Sequence, residues 1–318
     1  MEVVIIDNLS NSERKVLTGI STITGKEPHF EEVDLRDRED TFGVFERHPD
    51  IDAIIHFAAF KAVGESVEKP LDYYENNLLS LIHLLEAMLK YGVDRLVFSS
   101  SCTIYGEPDI LPVSENAPIK KANSPYGNTK QICEEILQDT IASMKGKGVI
   151  SLRYFNPIGA HESALIGELP IGVPNNLVPF ITQTAAGIRE CLSVFGDDYN
   201  TPDGSAVRDY INVVDLAKAH VAAIRRLLDH GQKSDFEVFN LGTGKGLSVL
   251  EVIAAFELST GQTLNYKVVG RREGDIEKVF ADTTYANSEL GWKAEKGIEE
   301  TLRSAWKWEE KIRAQKSE

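Results

Sequence analysis

The sequence predicts an α/β protein in which a doubly wound, mostly parallel sheet is joined to a smaller α/β lobe. Strand signals recur along the first half as apolar runs, at residues 3–6, 30–33, 53–59, 95–101 and 149–155. Two stretches of helical length, 70–90 and 125–144, lie between them, and this alternation is typical of βαβ units. From residue 156 Gly, Pro and Asn become frequent, which indicates a less regular second lobe.

The first strand signal is the segment VVIIDN at residues 3–8. Four apolar residues followed by Asp7 predict a buried parallel strand that ends in a carboxylate. In dinucleotide-binding sheets an acid at the end of the second strand binds the adenosine ribose, about 20 residues after a G-x-G-x-x-G turn. Asp7 therefore has the position expected of the ribose-binding acid. Only six residues precede it, however, and none of them is a glycine, so they contain no phosphate loop.

Two later strands also end in polar or small residues. Asp34 follows the segment FEEV, and the strand at 53–59 ends in HFAA. An acid after a strand is more often a turn or a helix cap than a ligand. However, the carboxyl ends of parallel strands share one edge of the sheet, where ligands of doubly wound folds bind. Three such strand ends in register favour a site there.

The second half contains fewer strong signals. A strand at EVFNLG precedes a helix at SVLEVIAAF, and an amphipathic helix near 298–311 carries Leu302 and Trp306 one turn apart. We expect two domains, residues 1–155 and 156–318, with parts of 207–230 folding back on the first domain.

Composition disfavours several classes of partner. The 318 residues carry a net charge of −15, which argues against nucleic acid and against an anionic membrane. The longest apolar runs are strand-sized and no signal-peptide pattern is present, so a cytoplasmic protein is expected. Cys102, Cys133 and Cys191 are widely spaced and predict reduced, buried thiols. The histidines show no metal-ligand spacing, so no metal site is expected.

The strongest local motif is NSPYGNTK, residues 123–130. Ser124 is a good N-cap and Pro125 a good first helical residue, so a helix is predicted to begin here. Tyr126 and Lys130 then lie one turn apart on one face. A neighbouring ammonium stabilises a phenolate, so we expect Lys130 to lower the pKa of Tyr126 from its usual value near 10. A Tyr–Lys pair alone is more often an ordinary surface pair.

A serine run strengthens the motif. The segment FSSSCTIYG, residues 98–106, predicts a strand that ends in three hydroxyls, about 25 residues before Tyr126. Serines at strand ends are common, but a run of them followed by the tyrosine pair is much rarer. Ser101, Tyr126 and Lys130 are therefore the candidate catalytic residues.

With these residues the sequence resembles the extended short-chain dehydrogenase/reductase family, and within it the UDP-glucose 4-epimerase group. The resemblance runs from residue 3 to residue 308 and implies a Rossmann-type sheet. Its matching segments, in order, are DNLSNS (7–12), HFAAFKAVGESVEKPLDYYENN (56–77), FSSSCTIYG, SPYGNTK, LRYFNPIGAH (152–161), PNNLVPF (174–180), DGSAVRDYI (203–211), NLGTGKG (240–246) and RREGD (271–275).

The resemblance implies a role for each matching residue. Tyr126 looks like the catalytic base, Ser101 like its partner on the sugar 4-hydroxyl, and Lys130 like the residue that binds the nicotinamide ribose. The positions similar to NAD-contacting ones are Asp7, Asn8, Leu9, Ser10, Asn11, Ser12, Asp34, Leu35, Phe57, Ala58, Ala59, Phe60, Lys61, Asn76, Ser101, Tyr126, Lys130 and Phe155. The positions similar to UDP-sugar-contacting ones are Asn156, Asn176, Leu177, Arg208, Arg272, Asp275 and Val279.

The implied activity is an isomerase of galactose metabolism. It interconverts UDP-galactose and UDP-glucose through a 4-keto intermediate with tightly bound NAD, in a cytoplasmic homodimer that binds neither nucleic acid nor membrane. Arginine guanidinium groups would hold the diphosphate by forked hydrogen bonds. Many bacterial members carry a bulky tyrosine where this chain has Val279, so a UDP-N-acetylhexosamine is the alternative substrate.

The glycine-rich segment GTGKG at residues 242–246 follows a strand and precedes a helix, but it lacks the G-x-G-x-x-G spacing, so we do not expect it to bind the pyrophosphate. The first strand and phosphate loop of the family are expected to lie outside these 318 residues. We therefore expect the chain alone to be poorly stable and to lose NAD. A further strand and turn of roughly 20 to 25 upstream residues should restore both the cofactor and epimerase activity. A catalytically dead fragment is the alternative from another class.

The nearest rival enzymes share the fold. Dehydratases of the family place an Asp-Glu pair after the catalytic serine, and many decarboxylases carry a glutamate there. Here Cys102, Thr103 and Ile104 follow Ser101, and none is an acid. This difference favours epimerisation.

Overall fold

The computed structural model describes residues 1–143, 146–272 and 275–317. Its first half contains β1 (Val4–Ile6), α1 (Lys15–Thr24), β2 (His29–Glu31), α2 (Arg38–Arg47), β3 (Ile54–His56), α3 (Val63–Glu68), α4 (Pro70–Tyr91), β4 (Arg95–Ser101), a 3₁₀ turn (Cys102–Tyr105), α5 (Pro125–Ala142) and β5 (Gly148–Tyr154). Its second half contains β6 (Asn156–Ile158), α6 (Leu177–Ala185), β7 (Leu192–Phe195), β8 (Val207–Asn212), α7 (Val213–Leu228), β9 (Phe236–Leu241), β10 (Gly246–Ser248), α8 (Val249–Thr260), β11 (Tyr266–Val269), β12 (Lys278–Val279), a π-helical turn (Ala286–Leu290) and α9 (Ile298–Ser317).

The central sheet has the order β3–β4–β5–β9 and is parallel throughout. Helices cover both of its faces, as expected for parallel strands that are buried on both sides. One apolar cluster packs α2, α4 and α5 against the sheet, around Leu81, Met88 and Leu137. A second packs α7 on the other face, around Ile150 and Phe239. The doubly wound α/β prediction is therefore confirmed.

The pair β1–β2 forms a separate parallel sheet of two strands. Among the described residues no strand pairs with the second edge of β1 or with the outer edge of β3. A 3-2-1-4-5-6 order places its first strand between these two edges.

The second lobe is built on a small mixed sheet. Strand β8 pairs with β10, β12 and β6, while β7 and β11 form a parallel pair of their own. Helices α6, α8 and α9 bury an apolar cluster against this sheet, with Phe256 and Leu302 fully enclosed. The candidate site residues of this lobe lie in β6 and the segment that follows it, in β8 itself and in the segment that follows β11.

Most predicted elements lie close to their expected positions. The strand at 95–101 and the start of the helix at 125 are as predicted, and the end expected at 144 lies outside the described residues. Four strands differ: β1 begins at 4 instead of 3, β2 lies at 29–31 instead of 30–33, β3 covers only 54–56 of 53–59, and β5 is shifted by one residue. The short helices α1, α2 and α3 were not predicted, because each is no longer than ten residues.

Residues beyond 156 contribute to the first sheet. Strand β9 pairs with β5, and α7 packs on β4 and β5. The division at residue 156, with parts of 207–230 returning to the first domain, stays a prediction. No described helix is both long and apolar enough to cross a membrane.

Candidate active site

Ser101 is the last residue of β4 and lies at the carboxyl edge of the central sheet. Its side chain is 6 % exposed, and it accepts hydrogen bonds from Thr103 N at 3.2 Å and Thr103 Oγ1 at 3.0 Å. These bonds cap the 3₁₀ turn that follows the strand. The serine hydroxyl is thus fixed where the sheet meets the second lobe.

The helix that faces Ser101 begins as the sequence predicts. Ser124 accepts a hydrogen bond from Gly127 N at 3.1 Å, and Pro125 is the first helical residue. Tyr126 and Lys130 are 7 % and 4 % exposed, and the Ser101 side chain lies close enough to the Tyr126 phenol to lower its pKa. The structure therefore brings the three predicted catalytic residues together.

Lys130 is held against the sheet by its own contacts. Its Nζ donates to the Ser99 carbonyl at 2.7 Å and lies 4.8 Å from the centroid of the Phe98 ring. Burial lowers the pKa of Lys130, since a buried ammonium loses its hydration. The ammonium is positioned by β4 as well as by its helix.

The expected pKa of Tyr126 was wrong in direction for this structure. Burial raises the pKa of the Tyr126 phenol, and the nearby Tyr154 hydroxyl adds to the effect. The hydrogen bond from Ser101 acts in the opposite direction. The prediction rested on the charge of Lys130 and omitted desolvation, which is the larger effect on a phenolate enclosed by the protein.

Tyr154 is a neighbour of this group that the sequence did not indicate. It is paired with Ser101 in the β4–β5 register, and its hydroxyl lies 2.5 Å from Ser99 Oγ. Burial raises the pKa of Tyr154. In the segment LRYF the sequence indicated only Phe155 as a site residue. Because side chains alternate along a strand, Tyr154 lies on the opposite face of β5 from its neighbour, and this alternation is the one signal that could have indicated it.

The loop after β1 presents the first group of predicted cofactor residues. Asp7 Oδ1 accepts from Leu9 N at 2.7 Å and from Ser12 Oγ at 2.9 Å, and Asn8 Oδ1 accepts from Ser10 N at 3.0 Å. Leu9 has a φ of 54°, in the left-handed region, which the tight turn requires. Asn11 is exposed at the end of this turn.

Asp34 lies beside this loop, after β2. It accepts from Asn8 Nδ2 at 3.1 Å and pairs with Arg36, whose Nη2 lies 2.7 Å from Oδ2. The hydrogen bond from Arg36 lowers the pKa of Asp34 to about 2. Leu35 is buried, and its carbonyl contacts His83 Nδ1 at 3.1 Å. The two predicted acids therefore share one surface, joined by Asn8.

The segment after β3 lies against α4. Phe60 exchanges two hydrogen bonds with the Asn77 side chain, at 2.8 and 3.0 Å, and Asn77 also donates to Thr129 Oγ1 on α5 at 3.0 Å. The predicted Asn76 is buried next to it and donates to Asn77 Oδ1 at 3.0 Å. Asn77 was missed, although it stands beside Asn76 in the same motif. Phe57 and Ala58 are exposed, and Ala59 is half-buried.

The predicted arginines converge on one carboxylate in the second lobe. Arg272 Nη2 donates to Asp275 Oδ1 at 2.6 Å, and Arg208 Nη2 lies 3.8 Å from the same oxygen. The Arg272 guanidinium is also 5.6 Å from the Phe195 ring, which is 41 % exposed. Phe195 was not predicted, because a single aromatic at a strand end has no distinctive pattern.

Val279 joins this arginine group to the catalytic group. It is paired with Arg208 in the β12–β8 register and is 5 % exposed. Its side chain belongs to an apolar cluster with Ile104, Tyr105 and the predicted Phe155. Ile104 and Tyr105 lie in the turn that follows Ser101, so the two groups share one wall.

Glu168 connects the cofactor and sugar residues predicted from opposite halves of the chain. Its Oε1 lies 3.5 Å from Lys61 Nζ and accepts from Asn176 Nδ2 at 2.7 Å. Asn176 is the N-cap residue of α6, Leu177 begins that helix, and Asn156 begins β6. Glu168 was missed because it lies in an irregular loop.

The glycine-rich segment at 242–246 is arranged around a buried acid. Asp209 accepts hydrogen bonds from Thr243 N, Gly244 N and Ala281 N, at 2.8, 3.1 and 3.2 Å. Burial raises the pKa of Asp209. Two backbone N–H groups of this segment, those of Thr243 and Gly244, thus donate to Asp209 and are not free to bind a phosphate.

The cysteines are reduced in this structure. Cys133 is buried, while Cys102 and Cys191 are partly exposed, so the prediction of three buried thiols is correct for Cys133 alone. Burial raises the pKa of Cys102 to about 12 and that of Cys133 to about 11. Among the described residues, no three His, Cys, Asp or Glu side chains are grouped as metal ligands would be.

A cavity of about 370 Å³ lies at the other end of the predicted cofactor loop. Asn11 and Ser12 form one wall, and Leu165 and Trp308 form another. It is lined by none of the three catalytic candidates. The chemistry is therefore assigned to the Ser101–Tyr126 edge and not to this cavity.

Comparisons with known proteins place this geometry among sugar-nucleotide enzymes. A family model described as GDP-mannose 4,6 dehydratase matches residues 1–305. A UDP-glucose 4-epimerase of Bacillus subtilis is 50% identical over 308 residues, which cover 97% of this chain and 89% of that protein.

Two solved structures are similar along nearly the whole chain. A UDP-glucose 4-epimerase from Stenotrophomonas maltophila, with bound NAD and formylated UDP-arabinopyranose, has a TM-score of 0.95 at 48% identity, covering 99% of this chain and 92% of that one. A UDP-glucose 4-epimerase from Bifidobacterium longum, in complex with NAD⁺ and UDP, has a TM-score of 0.92 at 47% identity, covering 98% and 91%.

Proposed function

The chain belongs to the GDP-mannose 4,6 dehydratase family and, within it, to the UDP-glucose 4-epimerase group, and from this membership we propose that it interconverts UDP-galactose and UDP-glucose with NAD as cofactor. The observation that carries the proposal is the buried group of Ser101, Tyr126 and Lys130 at the carboxyl edge of the sheet, facing the arginines of the second lobe.

The residues at this edge fit a nicotinamide dinucleotide. Asp7 accepts its hydrogen bonds from Leu9 and Ser12 with Oδ1, and among the described residues no hydrogen bond reaches its Oδ2. That oxygen can accept from ribose hydroxyls. Lys61 is exposed further along the edge, and Lys130 lies at its far end. When bound, NAD supplies the acceptor and donor of hydride for C4 of the sugar.

The protein side chains supply positioning and one proton path. Tyr126 accepts the proton of the C4 hydroxyl and later returns it, and Ser101 hydrogen-bonds the same hydroxyl. Tyr126 takes this proton in its phenolate form: burial raises the pKa of the phenol, and the Ser101 side chain lowers it and so favours the form that accepts the proton. Lys130 contributes a cation one helical turn away from the phenol.

The diphosphate end is held by the second lobe. Arg208 and Arg272 present guanidinium groups around Asp275, and such forks bind phosphate oxygens bidentately. The exposed Phe195 ring beside Arg272 offers a flat apolar surface for a base. With the diphosphate fixed, the 4-keto sugar can rotate about the oxygen–phosphorus bond that links it to the diphosphate. It then presents its other face to the same tyrosine.

Dehydration is the second activity to consider, because the matching family model carries a dehydratase description. Elimination needs an acid and a base beside the sugar. The turn after Ser101 consists of Cys102, Thr103, Ile104 and Tyr105, none of them a carboxylic acid. The local chemistry therefore supports epimerisation instead.

The wider setting follows from the same membership. We propose that the protein acts in galactose metabolism, in the cytoplasm and as a homodimer. The strongly negative net charge of −15 supports a partner other than nucleic acid or an anionic membrane. The cluster at Asp275 supplies the local positive charge that a UDP-sugar needs in such a chain.

The test is conversion of UDP-galactose to UDP-glucose by the purified protein, with NAD in excess. The 318-residue chain is assayed beside a version that carries a further strand and glycine-rich turn at its N-terminus, because such a turn binds the pyrophosphate in dinucleotide-binding folds. NAD released on denaturation is measured in both. Conversion by neither version contradicts the proposed function.

Tyr126→Phe is the matched variant for the proton path. The ring and its packing remain while the proton acceptor is lost, so we expect turnover to fall by about 10²- to 10⁴-fold with UDP binding unchanged. A loss below tenfold would show that Tyr126 is not the base. UDP affinity, measured by calorimetry, is the control that separates a chemical defect from misfolding.

A further inference from the structure

Helix α5 presents three polar side chains to the central sheet at intervals of one turn. They are Tyr126, Lys130 and Glu134, and each is less than a tenth exposed. Residues four apart on a helix lie on one face, so the three form a single stripe along the buried side. The proposed reaction uses the first two and leaves Glu134 without a role.

The stripe contacts the three consecutive serines of β4. Ser101 is the side chain that lowers the pKa of the Tyr126 phenol, Lys130 donates to the Ser99 carbonyl at 2.7 Å, and the Ser100 hydroxyl donates to Glu134 Oε1 at 2.6 Å. Each serine of the run at 99–101 therefore has one partner on α5.

Glu134 is also fixed from the neighbouring strand β5. Arg153 forms a bidentate ion pair with it, with Nη2 at 2.6 Å from Oε2 and Nε at 3.1 Å from Oε1. Ser151 Oγ donates to the same Oε1 at 2.7 Å. Arg153 in turn donates to the Tyr105 hydroxyl at 3.0 Å, at the end of the turn that follows Ser101. Burying a charge pair is costly unless each group is hydrogen-bonded, and here both are.

The two strands hold Glu134 unequally. On β5 the carboxylate has two partners, Arg153 and Ser151, so loss of the serine leaves the ion pair in place. On β4, within the described part of the chain, the carboxylate has one partner, Ser100. Ser100 precedes Ser101 directly, so this bond ties the helix of Tyr126 to the strand of its hydrogen-bonding partner.

We propose that Glu134 is a positioning residue for the reaction: through Ser100 it sets the position of α5 on β4 and hence the alignment of Tyr126 with Ser101. The inference rests on the proposed epimerase function for its kinetic consequence. In this proposal Glu134 acts through the position of α5 and does not contact substrate or cofactor.

Glu134→Gln is the direct variant, but it leaves the buried Arg153 without its counter-charge and can unfold the protein. Ser100→Ala and Ser151→Ala are a better pair. Both serines are fully buried, and both donate to the same carboxylate oxygen at nearly the same distance, 2.6 and 2.7 Å. They differ in the strand from which the bond comes.

The first measurement is the steady-state kinetics of both variants on UDP-galactose, with unfolding midpoints recorded beside them. We expect Ser100→Ala to lower kcat about tenfold while KM stays within about twofold, since displacement of a reacting group affects the chemical step more than binding. Ser151→Ala, with a similar loss of stability, should keep kcat within about twofold. Equal kcat values in the two variants at equal stability would overturn the inference.

The second measurement does not depend on activity. Hydrogen exchange read by mass spectrometry should show faster exchange in peptides covering residues 125–137 for Ser100→Ala than for Ser151→Ala. If the wild-type protein has no epimerase activity, the proposed function fails and this arm still decides the positioning role. Exchange that is equal in the two variants would contradict it.

Discussion

At the scale of single residues, burial acts on Tyr126 and Lys130 in the same sense. It raises the pKa of the phenol and lowers that of the ammonium, so it favours the neutral form of each. The hydrogen bond from Ser101 is the protein contact that opposes this effect at Tyr126. In the proposed reaction Ser101 therefore acts on the base as well as on the sugar hydroxyl, and its alignment with Tyr126 is expected to affect the rate.

Val279 provides the residue-scale prediction about specificity. It is enclosed with Ile104, Tyr105 and Phe155 and is paired in register with Arg208. A tyrosine in its place would add bulk where the apolar wall meets the arginine group. We expect Val279→Tyr to reduce kcat/KM for UDP-N-acetylgalactosamine about tenfold more than for UDP-galactose. The N-acetyl group would clash with the tyrosine ring, and a misfit of even one methylene in an apolar pocket costs roughly 1–3 kcal/mol.

Val279→Ala is the control for this prediction, because it adds no bulk beside the sugar and removes only apolar contacts of the valine side chain. Both substrates should lose similar activity in that variant. If wild type and Val279→Tyr show the same ratio of rates on the two substrates, Val279 has no role in substrate selection and is only part of the apolar wall.

At the scale of elements, the two parallel sheets should differ in local stability. Strand β1 has three residues, all half-buried, and pairs with β2 alone, whereas β4 lies between β3 and β5 with most of its residues fully buried. A sheet of two strands is marginal by itself. We expect the amides of Val4–Ile6 to exchange with solvent at least about 100-fold faster than those of β4.

Hydrogen exchange followed by NMR or mass spectrometry measures this difference. The β5 amides serve as the internal reference, because β5 is flanked by β4 and β9. Equal protection in β1 and β4 would mean that the first sheet unfolds only with the whole domain, and the prediction would be wrong.

At the scale of the whole molecule, two buried histidines should make stability depend on pH. Burial, with the Lys130 charge adding to it, lowers the pKa of His56 to about 3. Burial lowers the pKa of His220 to about 4. Both are neutral in the fold, while in the unfolded chain they titrate near 6.5. Between these values the unfolded state binds more protons, so stability falls as the pH falls below about 6.5.

For each histidine, proton binding by the unfolded chain should lower the free energy of unfolding by about 2 kcal/mol when the pH falls from 8 to 5. The paired carboxylates Glu31 and Asp34, whose pKa values are lowered to about 2, contribute their change mainly below about pH 4.5. Urea unfolding at pH 8 and pH 5 is measured for wild type and His220→Leu, because the buried acids Glu115 and Asp209, whose pKa values are raised, contribute equally to both proteins. His220→Leu should reduce the difference by about 2 kcal/mol, and an unchanged difference would show that His220 does not titrate in this way.

The sequence alone determined the features that depend on local energies. The Ser124 cap and Pro125 start α5 because both act within one turn, and the spacing of Tyr126 and Lys130 follows from helical geometry. The β-branched runs predicted where the strands lie, and the acid-ended strands predicted which edge carries the site. These preferences are set by residues within a few positions of one another.

The tertiary structure decided the contacts between segments that are distant in the chain. Glu168 between Lys61 and Asn176, Asn77 between Phe60 and Thr129, and Glu134 among Ser100, Ser151 and Arg153 join residues up to more than a hundred positions apart. It also decided the direction of the Tyr126 pKa shift. The physical reason is that desolvation and long-range hydrogen bonding depend on which surfaces the fold buries against each other, and no local pattern contains that information.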